Sequence, residues 1–247
     1  MDINSIITII IFIVAVIIIF KIVKTILKTI FVILIIGFLV TAMFGFFTYK
    51  DSVKLNEGLE SQSKLMLLQD NEKIIAGFVA IDSEEEAEFL TISKVAEYQN
   101  SFKKQEYKKM LGNNYKMLII DLKAFDLVDE KVSFNGKELS KNFLYSVLKS
   151  NDPISLYRSE TGINPALNGI SDHVEFKSQV FAVLFSEAID QSGTFFIFSE
   201  YKKQNIIVYP ETAVFKFIRL IPTAFISNIF ENAKNSTINK INQTIKG

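Results

Sequence analysis

Asp82 and Asp121 each close an apolar run, KIIAGFVAI and YKMLII. A carboxylate at the end of a strand is where α/β folds often hold metal or catalytic acids. Asp126, Asp129 and Glu130 follow the second run, an oxygen-rich set of the kind that suits Mg²⁺. No motif fixes their spacing, and Asp also ends strands because it forms turns. The sequence therefore assigns no catalytic residue and no metal ligand. Ser171-Asp172-His173 holds the three residue types of a hydrolase triad. Side chains at i, i+1 and i+2 diverge, however, and cannot supply that geometry. Ser171 or Asp172 acting as a helix cap accounts for the run, and it leaves His173 on the surface. Residues 150–170 read as the longest irregular stretch, with Pro153, Gly162, Pro165 and Gly169. Loops beyond ~12–15 residues tend to be functional or disordered. Asp152, Arg158 and Glu160 in this stretch, with His173 just beyond it, are the candidates for binding a ligand or partner. Arg158 and Arg219 are the only arginines in a lysine-rich chain, and a guanidinium suits bidentate contacts.

Composition excludes more than it selects. With no Cys, disulfides, thiolate zinc sites, Fe–S clusters and Cys nucleophiles are ruled out. A single His removes sites that need two imidazoles, among them the HExxH hydrolases. The 27 Lys+Arg balance the 27 Asp+Glu, and no basic-aromatic stripe is present, which argues against a nucleic-acid partner. No Gly-rich phosphate loop or zinc pattern occurs, so no cofactor is expected. Asn235-Ser-Thr and Asn242-Gln-Thr match the N-glycosylation acceptor, a pattern that arises readily by chance in an Asn-rich chain.

The elements behind these residues fall into two parts. Ile6–Phe20 and Ile30–Tyr49 are uncharged apolar runs, forming an anchor over residues 1–50 with helical runs at about 5–21 and 29–49. A spanning helix needs ~20 apolar residues. Asp2 is the only charged side chain ahead of the first run, and no small-x-small site ends it, so the run reads as a retained anchor and not a cleaved signal. Two geometries stay open, a transmembrane helical hairpin or one long bent helix. In the hairpin, Lys21, Lys24 and Lys28 share one helical face of the elbow, and Tyr49 and Lys50 mark the far interface. The positive-inside rule then puts the elbow in the cytoplasm and the remaining chain on the extracytoplasmic side, whereas an anchor that crosses once allows a cytoplasmic domain. Gly37, Ala42 and Gly45 are small residues that permit close approach of another helix.

Beyond the anchor, 23 bases and 26 acids remain once Lys21, Lys24, Lys28, Lys50 and Asp2 are taken away, a net charge of −3. Residues 51–72 read as a connector, and 73–247 as a mixed α/β domain, a mixed sheet with flanking helices ending in an Asn-rich helix or tail. Strands are expected at Lys73–Ile81, Tyr115–Leu122, Lys131–Asn135, Thr194–Ser199 and Asn205–Tyr209. Helices are expected from a Ser83/Glu86 capping box to about Leu111 with a break near Asn100-Ser101, over Glu138–Leu148, over Asp172–Ser192, and over Glu211–Phe230 with a kink near Pro222, packed on the sheet or, as the second reading, docked on the membrane surface. The function expected is that of a membrane-anchored interaction or scaffold protein, with the lipid bilayer and protein partners, in a larger membrane complex. The alternative is a membrane-tethered hydrolase or ligand-binding enzyme that uses the strand-end carboxylates or the 150–173 region.

Overall fold

The computed structural model describes residues 62–80, 87–193 and 195–220, together with Phe31, Leu34, Ile35, Gly37 and Phe38. The chain divides into two compact units, Met1–Lys50 and Asp51–Gly247. In the first, the five described residues are helical. Phe31, Leu34, Ile35 and Phe38 follow the i, i+3, i+4, i+7 spacing of one helical face, and all four are exposed. Lys21, Lys24, Lys28, Ala42, Gly45, Tyr49 and Lys50 lie outside the described residues, as do Asp82, the Ser83/Glu86 box, Pro222 and the Asn-rich tail.

The second unit is built on a five-stranded mixed sheet of β1 (Lys64–Asp70), β2 (Lys73–Ala80), β3 (Glu88–Phe89), β4 (Lys116–Asp121) and β7 (Ile206–Tyr209), in the order β3-β2-β1-β4-β7. β1 runs parallel to β4, with Leu67 opposite Ile119. The β1–β2, β2–β3 and β4–β7 pairs are antiparallel. A two-residue turn, Asn71-Glu72 with φ of 50° and 62°, joins β1 to β2. A second, two-stranded sheet pairs β5 (Lys131–Phe134) with β6 (Lys137–Ser140) around Asn135-Gly136.

Alternation along the central strands feeds two cores. Leu65, Leu67, Ile74, Met117 and Ile119 face α1 (Ile92–Lys103) and α2 (Tyr107–Leu111), which bring Val95 and Met110. Met66, Leu68, Phe78, Leu118, Ile120, Ile206 and Val208 join the larger core on the other face. That core is closed by α3 (Lys141–Lys149), α4 (Pro153–Thr161), α5 (His173–Ser192), α6 (Phe195–Lys202) and α7 (Ala213–Leu220). The first five residues of β1 and of β4 are all buried because both faces of the sheet are covered. Among the described residues no single helix is long and apolar enough to cross a membrane. α5 and α6, bent at 102°, satisfy that test only as a pair. Their apolar residues Phe176, Val180, Phe181, Leu184, Phe196 and Ile197 are buried in this core.

Several sequence expectations need correction. The connector assigned to 51–72 contains β1, the central strand. Leu65–Leu68 is a short unbroken apolar run, and periodicity cannot separate a buried strand from a helix over so few residues. The break expected near Asn100-Ser101 falls at 104–106, between α1 and α2, and Glu88–Phe89 forms a short strand. Glu138–Ser140 belongs to β6, and the helix begins at Lys141 with Ser140 as its cap, accepting from Phe143 N. Thr194–Ser199 was expected to be a strand, but Phe195–Lys202 is a helix that buries Phe196, Ile197, Glu200 and Tyr201 at helical spacing. Packing against the core overrides the β-propensity of its aromatic residues.

Gly77 in β2 is held on every side. A Cβ there would lie 2.7 Å from Leu90 Cδ1, 2.8 Å from Leu67 Cδ2 and 2.8 Å from the Met66 carbonyl oxygen. The Ser178 hydroxyl of α5 accepts from Gly77 N at 3.0 Å and donates to Val174 O at 2.8 Å, fastening the helix to the strand. Gly77→Ala is expected to lose about 1–3 kcal/mol, because a backbone oxygen cannot swing aside as a side chain can. Urea unfolding of the variant in detergent checks it.

Candidate functional site

The stretch expected to be the longest loop is largely helical. Asp152 caps α4 by accepting from Ser155 N at 3.1 Å, Pro153 opens the helix, and Gly162 closes it at a φ of 73°. Pro at the first helical position and Gly just past the last are boundary signals as well as breakers. The 3₁₀ turn Pro165–Asn168 follows. Asp172 caps α5 through Val174 N at 2.7 Å and Glu175 N at 3.1 Å. Its second oxygen accepts from Ile92 N, the first residue of α1, at 3.1 Å. One carboxylate thus closes two helix starts.

The fold brings Asp152 and His173 together. Nε2 of His173 lies 3.7 Å from Asp152 Oδ1, and its Nδ1 lies 3.2 Å from the Asn151 carbonyl oxygen. Both side chains are exposed, so the pair is a solvated contact between two helix starts. Arg158 lies further along α4 and, with Glu160, is exposed. No contact joins either of them to Asp152 or His173 among the hydrogen bonds and ion pairs of the described residues. The hydrogen bond from the Ser155 amide is the main reason the Asp152 carboxyl lies below its ordinary range; the charges of His173 and Arg158 add to it. A depressed carboxylate supports the folded state above the ordinary range and loses that support as pH falls through its folded value. The Ser155 amide resonance is therefore expected to shift with acid in step with Asp152, and to lose that step in Asp152→Asn.

Among the described residues, the acids at and after the end of β4 do not gather. Asp121 Oδ1 caps the 3₁₀ turn Leu122–Leu127 through Lys123 N at 3.0 Å, and Gln69 Nε2 reaches its Oδ2 at 3.4 Å. Asp126 meets the Tyr145 hydroxyl at 3.5 Å, and burial is the first cause of that phenol's raised pKa. Glu130 lies 3.5 Å from Lys141, whose ammonium also donates to the Asp126 and Val128 carbonyls. Among the described residues no group of three or more Asp, Glu or His side chains is placed to hold a metal ion.

Two arrangements were not expected from the sequence. A cleft of about 660 Å³ opens beside the carboxyl end of β1, lined by Gln69, Lys73, Gln99, Lys103, Gln105 and Tyr107 among others. Gln99 ties α1 to the β1–β2 turn, accepting from Ile74 N and donating to Glu72 O at 3.3 Å. Its lining mixes amides, the Lys73 and Lys103 ammonium groups and the Glu72 carboxylate with the rings of Phe102 and Tyr107. Gln69 falls in the stretch that reads as a connector, so no pattern in the sequence points to the cleft. The second arrangement joins α6 to α7. The Tyr201 hydroxyl donates to Glu211, Arg219 pairs with Glu211 at 3.0 Å, and the guanidinium lies 5.0 Å from the Tyr201 ring centroid. Burial raises the Tyr201 phenol pKa first, and its bond to Glu211 adds to that. Lys202 donates to the Arg219 carbonyl at 2.7 Å, tying α6 to α7.

The second unit is, by its architecture, a mixed α/β domain with a five-stranded mixed sheet between helical layers. No protein-family model matches the chain, and neither the curated proteins nor the solved structures give a match.

Proposed function

We propose that this is a membrane-anchored protein whose first fifty residues hold a mixed α/β interaction domain at the extracytoplasmic face of a bilayer, as a subunit of a larger membrane complex. The observation that carries this reading is the pair of uncharged apolar runs, Ile6–Phe20 and Ile30–Tyr49. The exposed face of Phe31, Leu34, Ile35 and Phe38 supports it, since such a face suits hydrocarbon. The three lysines between the runs support the orientation. For the domain, an interaction role is favoured because Asp152 and Asp172 act as helix caps and Asp121 as a turn cap.

Alkaline carbonate extraction of native membranes, followed by protease treatment of intact cells, tests both parts. The chain is expected to stay with the membrane and the domain to be cut from outside. Release by carbonate overturns the anchor, and cleavage only after lysis overturns the orientation. The ligand-binding alternative draws support from the cleft beside Gln69. It requires that Lys103→Glu abolish binding of whatever small molecule co-purifies.

A further inference from the structure

We propose that α7 is a membrane-surface helix that lays its outer side on the lipid headgroup boundary. Ala213–Leu220 buries Val214 and Phe215 in the core and leaves Phe217 at 42% and Leu220 at 77% exposure. At 3.6 residues per turn, Leu220 lies one turn beyond both Lys216 and Phe217, so these three share the outer side. Lys216 is exposed on that side between the two apolar side chains, while the Arg219 guanidinium at its edge is held by Glu211 and the Tyr201 ring. That combination is the pattern of an interfacial helix: the apolar side chains enter the acyl boundary while the Lys216 ammonium stays among anionic headgroups.

The fold fixes the helix in this attitude. Glu211, Tyr201 and Lys202 grip α7 from the domain side, so its outer residues are presented on a rigid support. Two apolar side chains are too few to hold a free protein on lipid. They suffice for a domain already tethered, because a tether makes the second contact intramolecular and raises its effective concentration to the millimolar range. The inference rests on the anchored reading in that respect.

The natural absence of cysteine makes the test direct. Leu220→Cys, Phe217→Cys and, as a control, Leu167→Cys, itself 84% exposed, are each spin-labelled in the full chain. Each is then reconstituted in vesicles of phosphatidylcholine with phosphatidylglycerol. Collisions with a water-soluble nickel complex are expected to fall several-fold at 217 and 220 relative to 167, while collisions with oxygen rise. Lys216→Glu is expected to lessen the protection in these vesicles but not in pure phosphatidylcholine. Equal collision rates at all three positions overturn the proposal. So does protection that grows with protein density, which marks contact with a second copy. Carbonate extraction of the same vesicles separates the two failures, because a chain that resists extraction yet shows water-exposed labels defeats only the α7 proposal.

Discussion

Phe181→Ala is expected to cost about 3–5 kcal/mol, the range for truncating a buried phenylalanine. Phe181 is fully buried near the middle of α5. Its ring lies 5.1 Å from that of Phe78 on β2, 6.0 Å from Phe125 in the turn after β4 and 6.4 Å from Phe185 on its own helix. Removing it opens a void where the sheet, the turn and the long helix meet, and these neighbours are too constrained to close it. A domain of this size is held by about 5–15 kcal/mol in total, so the variant stands near the edge of unfolding. Guanidinium titration followed by near-ultraviolet circular dichroism reads the loss. Phe217→Ala, at an exposed position on α7, is expected to stay within about 0.5 kcal/mol of the parent in detergent. Equal losses at the two positions would mean that the core is not organised around α5.

The mixed α/β class, β4, β7 and the long helix α5 were legible because each carries an unambiguous local signal. Tyr115–Leu122 and Asn205–Tyr209 are short apolar runs bounded by turn residues, and Asp172 with Glu175 three residues on is a capping pattern before an apolar stripe. What could not be read depended on distant contacts. β1 looks like part of a polar connector until β2 and β4 are placed on either side of it. α6 has the composition of a strand and becomes a helix where Phe196, Ile197 and Tyr201 meet the core. Residues 150–170 read as irregular for a different reason: Pro153 and Gly162 break structure in most settings, and here they are the two boundaries of one helix. The pairing of Asp152 with His173 follows from two helix starts coming together, and Arg158 and Glu160 share α4 without joining them. Gln69 could not be proposed while its strand was unrecognised.

Asp172→Ala is expected to lose about 2–3 kcal/mol, more than a single helix cap contributes, because an N-cap is worth about 0.5–2 kcal/mol and this one serves two helices. One carboxylate oxygen takes the Val174 and Glu175 amides of α5, and the other takes the Ile92 amide of α1, eighty residues away in sequence. The negative charge also faces the positive ends of both helix dipoles. Asp172→Asn separates the two roles. Its carbonyl oxygen can keep the α5 amides, but its NH₂ then meets the Ile92 N–H as donor against donor. About half of the loss is therefore expected in Asn, with faster hydrogen exchange at Ile92 and unchanged exchange at Val174. An Asn variant as stable as the parent would show that the link to α1 contributes nothing. The same measurement bears on the hydrolase alternative. In a triad the acid must orient the histidine, whereas here Asp172 is turned toward backbone amides and His173 toward Asp152 and Asn151. Loss of stability with α1 exchange in Asp172→Asn therefore assigns the Ser171-Asp172-His173 run to joining two helices.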